Sequence, residues 1–157
     1  MNRETEWTPP HSHDPNPSPP ANDPTFWLVD GESQIRLSPI GLLEFPQVEV
    51  ADCYIVSTGH GTSGPFRFGG VTLLSLVDHF VGENWTVVDV ISADGFRTRL
   101  TTTELRGMIT HPVLLALRID GRELTRGEGL VRLIVPHETE DALRHVKWVS
   151  KIRINRN

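Results

Sequence analysis

A glycine-rich stretch, residues 57–70, separates two segments of different hydrophobic periodicity. The preceding residues, 48–56, are rich in β-branched and aromatic side chains and predict a strand. The following residues, 71–80, place apolar side chains on one helical face and predict a helix. We therefore expect a loop whose backbone N–H groups can converge on an anion or a cofactor, with added hydroxyls from Ser57, Thr58, Thr62 and Ser63. A surface turn rich in glycine and serine explains the same composition, so both interpretations stay open.

The composition bounds the domain organisation and excludes several classes of protein. The 157 residues suffice for one domain with a core, expected over residues 25–157. Residues 1–24 hold seven of the twelve prolines and predict a disordered tail. A formal net charge of −5 argues against a general nucleic-acid binder. The single cysteine, Cys53, excludes an intrachain disulfide and a cysteine-rich metal site. No apolar run is long enough for a membrane span, and we expect a cytoplasmic protein.

The rest of the sequence predicts short strands and short helices. We predict seven or eight strands and two or three helices, which indicates an α+β domain with mixed or largely antiparallel sheets. One predicted strand covers residues 130–135, where Arg132 alternates with Val131 and Leu133. That alternation predicts an Arg132 side chain that points away from the core. We expect Trp85 and Trp148 in the core.

Four segments of the C-terminal half occur in an order and spacing that resemble a known family: residues 114–124, 127–129, 131–136 and 146–148. They resemble the Leu-Leu-Ala strand, the Asp-Gly-x-x-Leu turn, the Val-Arg-Leu-x-x-Pro strand and the Lys-Trp pair of the sulfite oxidase family's molybdopterin-binding domain. Residues 68–74 resemble that family's entrance to a helix. The resemblance extends over residues 27–154 and implies the same α+β fold.

The resemblance also implies a cofactor, molybdopterin: an organic pterin with a phosphate, holding molybdenum through two sulfurs. In active members a cysteine thiolate at the end of the strand before the glycine-rich stretch also binds the metal. That place falls near Ser57 or Thr58 in this sequence, which makes Ser57 the candidate metal ligand. Cys53 lies four residues earlier, about 13 Å along a regular strand, and we expect it to be a buried small hydrophobe.

Four further residues are candidate contacts for the pterin phosphate or an anionic substrate: His60, Arg67, Arg144 and Lys147. Lys147 belongs to the Lys-Trp pair, and with Arg144 and His145 it would form a basic cluster suited to an anion. The alternatives are a solvent-facing loop histidine at position 60 and a charged strand edge around Lys147. Carboxylates at Glu138, Glu140 and Asp141 would oppose a phosphate there.

Two functions of different classes follow from these observations. The resemblance implies a sulfite oxidase-like molybdopterin-binding protein with oxidoreductase activity and, in that role, an electron-transfer or protein partner. The alternative is a cofactor-free member of the fold that binds a small anion or another protein. The missing cysteine near Ser57 keeps the alternative open. We expect neither nucleic acid nor a membrane as a partner.

Overall fold

A computed structural model describes residues 23–57, 61–136 and 145–156, without the side chains of residues 56, 57, 61 and 62. The predicted tail therefore lies almost wholly outside the described residues, as do Thr58, His60 and Arg144. In chain order the elements are β1 (Phe26–Asp30), β2 (Ser33–Leu37), α1 (Pro39–Leu42), β3 (Val48–Ser57), β4 (Gly61–Thr72), α2 (Leu73–Val81), β5 (Val87–Ser92), β6 (Arg97–Thr101), α3 (Thr102–Gly107), β7 (Leu114–Ile119), β8 (Arg122–Glu123), β9 (Arg132–Ile134) and β10 (Val149–Asn155).

Two sheets organise these strands. The first sheet has the order β2-β1-β10-β5-β6, and the second has the order β3-β4-β7-β8 with β9 also paired to β7. Only the β1–β10 pair is parallel among the pairs that the structure describes. The expected α+β class with largely antiparallel sheets is confirmed.

Short-range signals set the ends of the helices and the tight turns. Ser38 caps α1 and Thr72 caps α2, each by accepting a hydrogen bond from a backbone N–H of the first turn. Thr101 and Glu104 form a capping box at the start of α3. Gly31 and Gly121, with φ of +63° and +87°, complete Asp-Gly turns between β1 and β2 and between β7 and β8.

From Gly61 onwards the glycine-rich stretch is a strand, so the prediction of a loop that continues to the start of the helix is wrong. Gly61–Thr72 forms β4, which pairs with β3 on one edge and with β7 on the other. Backbone groups of these residues therefore bond within the sheet instead of converging on a ligand. Glycine is required at Gly70, because a side-chain carbon there would collide with the Leu115 carbonyl oxygen.

Two cores lie on opposite faces of the second sheet. The larger core lies between the two sheets and includes the buried side of α2 and Trp85. The smaller core packs against the other face of the second sheet and includes Cys53, Phe68, Leu114 and Ala116. Because one sheet contributes to both cores, its central strand β7 is buried on both faces.

Candidate functional site

Arg132 is the first residue of β9, and the structure places it in the interior. Its side chain is only 8% exposed, and its Nε is a buried donor without a partner in the described part of the chain. The prediction that Arg132 points away from the core is wrong. Val131 and Leu133 face the larger core, and Arg132 faces the opposite side of the sheet, which is enclosed by the smaller core around its β7 partner Ala116. Burial lowers the pKa of Arg132 to about 10, so the guanidinium remains charged at neutral pH.

His145 lies beside this strand and is buried as well. A bridge between Leu133 and Val146 holds the segment against β9, and His145 Nε2 lies 2.9 Å from the Val135 carbonyl oxygen. A carbonyl oxygen only accepts, so Nε2 carries the proton and Nδ1 is a lone-pair acceptor. Nδ1 has no partner among the described residues. Burial and, less strongly, Arg132 lower the pKa of His145 to about 4, so His145 is neutral and adds no positive charge to the predicted basic cluster.

Lys147 is held next to these residues by the backbone of Gly129. Gly129 has φ of +116°, and a side-chain carbon on it would lie 3.0 Å from Lys147 Cβ. The Lys147 amine lies 5.6 Å from the centroid of the Trp148 ring. Lys147 is exposed, and partial desolvation of its amine, followed by the positive charge of Arg132, lowers the pKa of Lys147. Arg132 and Lys147 are therefore electrostatic neighbours, and we call this pair the cation cluster.

Glu128 is a nearby carboxylate, but it forms an ion pair with Arg122. Its two oxygens accept from Arg122 at 2.8 and 2.7 Å, and one also accepts from the Thr125 backbone N–H. The hydrogen bond from Arg122 is the main cause that lowers the pKa of Glu128 to about 2. Glu128 therefore places a negative charge near the cation cluster, but it forms no direct ion pair with the cluster among the described residues. The unpaired donors of the cluster lack an anionic partner.

Comparison with known proteins identifies the family. The model of the oxidoreductase molybdopterin binding domain matches residues 28–157. This chain belongs to that family. The expectation of a sulfite oxidase-like molybdopterin-binding domain is thus confirmed. No curated protein matches the sequence.

A solved structure shares the fold of this family member. It is the sulfane dehydrogenase SoxCD from Paracoccus pantotrophus, with a TM-score of 0.63 and 18% sequence identity. The match covers 85% of this chain and 38% of that chain. The chain thus spans well under half of the length of that SoxCD chain, and at this identity the likeness shows the fold.

The other candidate residues are not all brought to the cation cluster. Ser57 ends β3 and pairs with Gly61, Thr62 pairs with Val56, and Ser63 is exposed on β4. Arg67 lies in β4 between two phenylalanines that pack into the smaller core, so its side chain leaves from the opposite face. Its guanidinium lies 3.6 Å from a Glu49 oxygen. The partner of Arg132 in β7, Ala116, lies on the smaller-core face, so Arg67 and Arg132 are on different faces of the sheet.

Cys53 does not fit the role of the family's metal-binding thiolate. Its side chain is 2% exposed, and the Sγ–H donates to the Val50 carbonyl oxygen at 3.5 Å. Burial, followed by the charge of Asp52, raises the pKa of the Cys53 thiol to about 11. The prediction of a buried small hydrophobe is confirmed. Among the described residues, no group of three or more His, Cys, Asp or Glu side chains can hold a metal ion.

Two further features lie away from these residues. A cavity of about 380 Å³ opens between α2, the end of α3 and the start of β3, and its lining includes Leu74, Leu105 and Met108. None of the predicted site residues lines it. In the described part of the chain, every helix is too short to cross a membrane.

Arg132 is the residue that the sequence interpretation missed, and His145 was expected in the basic cluster but is neutral. The available signal is the run of residues 131–135, in which one arginine interrupts four aliphatic residues. A continuous apolar strand of this kind is buried on both faces, so a charged residue within it must be enclosed. Side chains alternate between the two faces in every strand, but that alternation separates buried from exposed residues only where one face of the sheet is in water.

Proposed function

We propose that this chain binds the molybdopterin cofactor through the cation cluster. The observation that carries the proposal is the buried Nε of Arg132, a charged donor without a partner among the described residues. Leaving such a donor unpaired costs free energy, and an anionic ligand removes that cost. A phosphate suits this site, because a guanidinium presents a planar fork of donors and an ammonium adds a second positive charge.

Neighbouring residues would complete the contacts to the ligand. His145 Nδ1 would accept a hydrogen bond from an N–H group of the pterin, since the neutral ring keeps its lone pair there. Arg144, three residues before Lys147, would add a further cation. Ser57, Thr58, His60, Thr62 and Ser63 remain proposed contacts to the cofactor. Arg67 is left out of this set because it lies on the other face of the sheet.

The metal would be held without a cysteine thiolate. Cys53 is buried and protonated, and the residue at the end of β3 is Ser57. An alcohol is much harder to deprotonate than a thiol and is a harder ligand, so Ser57 would retain molybdenum weakly. When bound with its metal, the cofactor would supply the oxidoreductase chemistry after which the family is named.

A second function is favoured by the same observation on Cys53. A member of the family that supplies no thiolate can keep the cation cluster for another anion. In that case the chain would be a cofactor-free module for a small anion or for a protein partner. The two functions share the cluster but differ in whether a pterin is present.

The pterin content of the purified full-length chain tests the proposal. The protein is expressed in a host that makes molybdopterin, and the pterin released by oxidation is measured by fluorescence. We expect pterin in the wild type and about a tenfold lower content in Lys147→Gln, because one charge-assisted contact is lost. Arg118→Gln is the control, because Arg118 lies in another part of the second sheet, where it donates a hydrogen bond to the Gln47 side chain.

The outcomes separate the two functions. A wild type free of pterin overturns the proposal. If that protein binds inorganic phosphate in calorimetry and Lys147→Gln does not, the cofactor-free module is favoured instead. Equal loss of pterin in Lys147→Gln and Arg118→Gln would contradict the assignment of the cation cluster.

A further inference from the structure

The first sheet has one face in the larger core and one face turned away from it. Val88 and Val90 of β5, Ile152 of β10 and Leu28 of β1 face the larger core. The alternate residues of each strand lie on the other face, which we call the outer face.

The pairing registers order the outer face into two rows that cross all five strands. Residues that pair directly across strands share a face of the sheet. The first row, from β2 to β6, is Arg36, Trp27, Lys151, Ile91 and Arg97. The second row is Gln34, Val29, Arg153, Asp89 and Arg99.

The two rows carry a charge opposite to that of the whole chain. They contain five cations and one carboxylate, whereas the rest of the sequence contains ten cations and nineteen carboxylates. Asp89 is paired with Arg99 at 2.8 Å, and at the edge of the sheet Arg36 is paired with Asp23 at 3.0 Å. Within the described residues, Arg97, Lys151 and Arg153 form no ion pair.

We propose that the outer face docks an acidic patch on the surface of a partner protein. Positive charge concentrated on one face of an acidic protein steers and orients a partner of opposite local charge. The cations are four arginines and one lysine, and Trp27 lies under the Arg36 guanidinium at 5.2 Å from its ring centroid. Arginine and tryptophan are the residue types enriched where protein interfaces gain most of their affinity, and lysine is depleted there.

The size of the outer face and the charge around it favour a protein over a nucleic acid. Five strands about 4.8 Å apart span about 19 Å between the outermost strands. A patch of this width belongs to the small, transient class of protein interfaces. A nucleic acid would extend beyond the patch, where the excess of carboxylates in the remainder of the chain would repel its phosphates.

The experiment measures binding of a fluorescent polyglutamate peptide to the full-length protein by anisotropy. We expect an affinity that falls as salt rises and about a tenfold weaker affinity in the double variant Arg97→Glu, Lys151→Glu. Neither Arg97 nor Lys151 is a cross-strand neighbour of Asp89. The charge-matched control is Arg118→Glu, Arg126→Glu, which reverses two cations outside the first sheet and should bind within about twofold of the wild type.

Four results would overturn the proposal. The first is a wild type that does not bind polyglutamate, and the second is equal weakening in the control. The third is a single-stranded oligonucleotide of the same total charge that binds more tightly than the peptide, which would favour nucleic acid. The fourth is about tenfold tighter peptide binding after removal of residues 1–22, which would make the chain's own N-terminal segment the occupant. The peptide assay needs no pterin, so its failure is distinct from failure of the cofactor proposal.

Discussion

Replacing Trp148 tests how the segment that carries Lys147 is held in place. The Trp148 side chain is 8% exposed, and its indole N–H donates to the Arg126 carbonyl oxygen at 2.7 Å. Its backbone N–H donates to the Gly129 carbonyl oxygen at 2.9 Å, and its carbonyl accepts from Ala93 at 2.9 Å. The side chain thus fixes the residue immediately before β10.

Trp148→Ala removes both the bulk and the hydrogen bond of the indole. A buried aromatic replaced by alanine costs about 3–5 kcal/mol, and a lost hydrogen bond that leaves the Arg126 carbonyl unpaired costs about 1 kcal/mol. We therefore expect a loss of about 4–6 kcal/mol in the free energy of unfolding, a large share of the stability of a domain this size. Trp148→Phe keeps most of the bulk and should cost about 1–2 kcal/mol.

Urea denaturation followed by circular dichroism measures both variants. The backbone φ of +51° at position 148 is unfavourable for all three side chains, so it does not explain a difference between them. A loss within about 0.5 kcal/mol for Trp148→Ala, the range of surface substitutions, would refute the reasoning. Equal losses for the two variants would show that packing of the ring contributes little.

Three further predictions concern other parts of the molecule. The pKa of Glu128 is lowered from 4.5 to about 2. Its contribution to the stability of the fold is therefore present above about pH 4.5 and is lost as the pH falls towards 2. Glu128→Gln should flatten the corresponding part of a plot of the urea midpoint against pH. Cys53, with its pKa raised to about 11, should resist a thiol reagent at pH 8 in the native protein and react fully in urea. Removal of residues 1–22, which hold few apolar side chains, should leave the melting temperature nearly unchanged.

Each of these predictions has a contradicting result. A parallel loss of stability in wild type and Glu128→Gln between pH 4.5 and pH 2 would show that the pair with Arg122 does not stabilise the fold. Rapid native labelling of Cys53 would show that the thiol is accessible. A large fall in melting temperature after the truncation would show that the N-terminal segment packs on the domain.

Local signals in the sequence sufficed for the turns, the caps and most strands. The capping box of Thr101 and Glu104 is a local signal of this kind, because both partners lie within one helical turn. Cys53 and Trp148 are buried as their residue types suggest. The family could also be inferred, because several short motifs occur in a fixed order.

Non-local pairing accounts for what the sequence interpretation missed. Residues 61–72 have the glycine, serine and proline content of a loop, but β3 and β7 supply hydrogen-bonding partners on both edges. Arg132 is enclosed because β9 pairs with a strand that is buried on both faces. β7, the partner that β4 and β9 share, lies outside both segments, so composition and periodicity within them do not report it.

The ratios of pterin and of molybdenum to protein in the wild type and in Ser57→Cys test the central claim most directly. If the chain binds the pterin without a protein thiolate on the metal, the wild type contains pterin with much less molybdenum. Ser57→Cys then raises the molybdenum content while the pterin content stays the same. Stoichiometric molybdenum in the wild type that is lost in Cys53→Ser, or a complete absence of pterin from both proteins, would contradict the account.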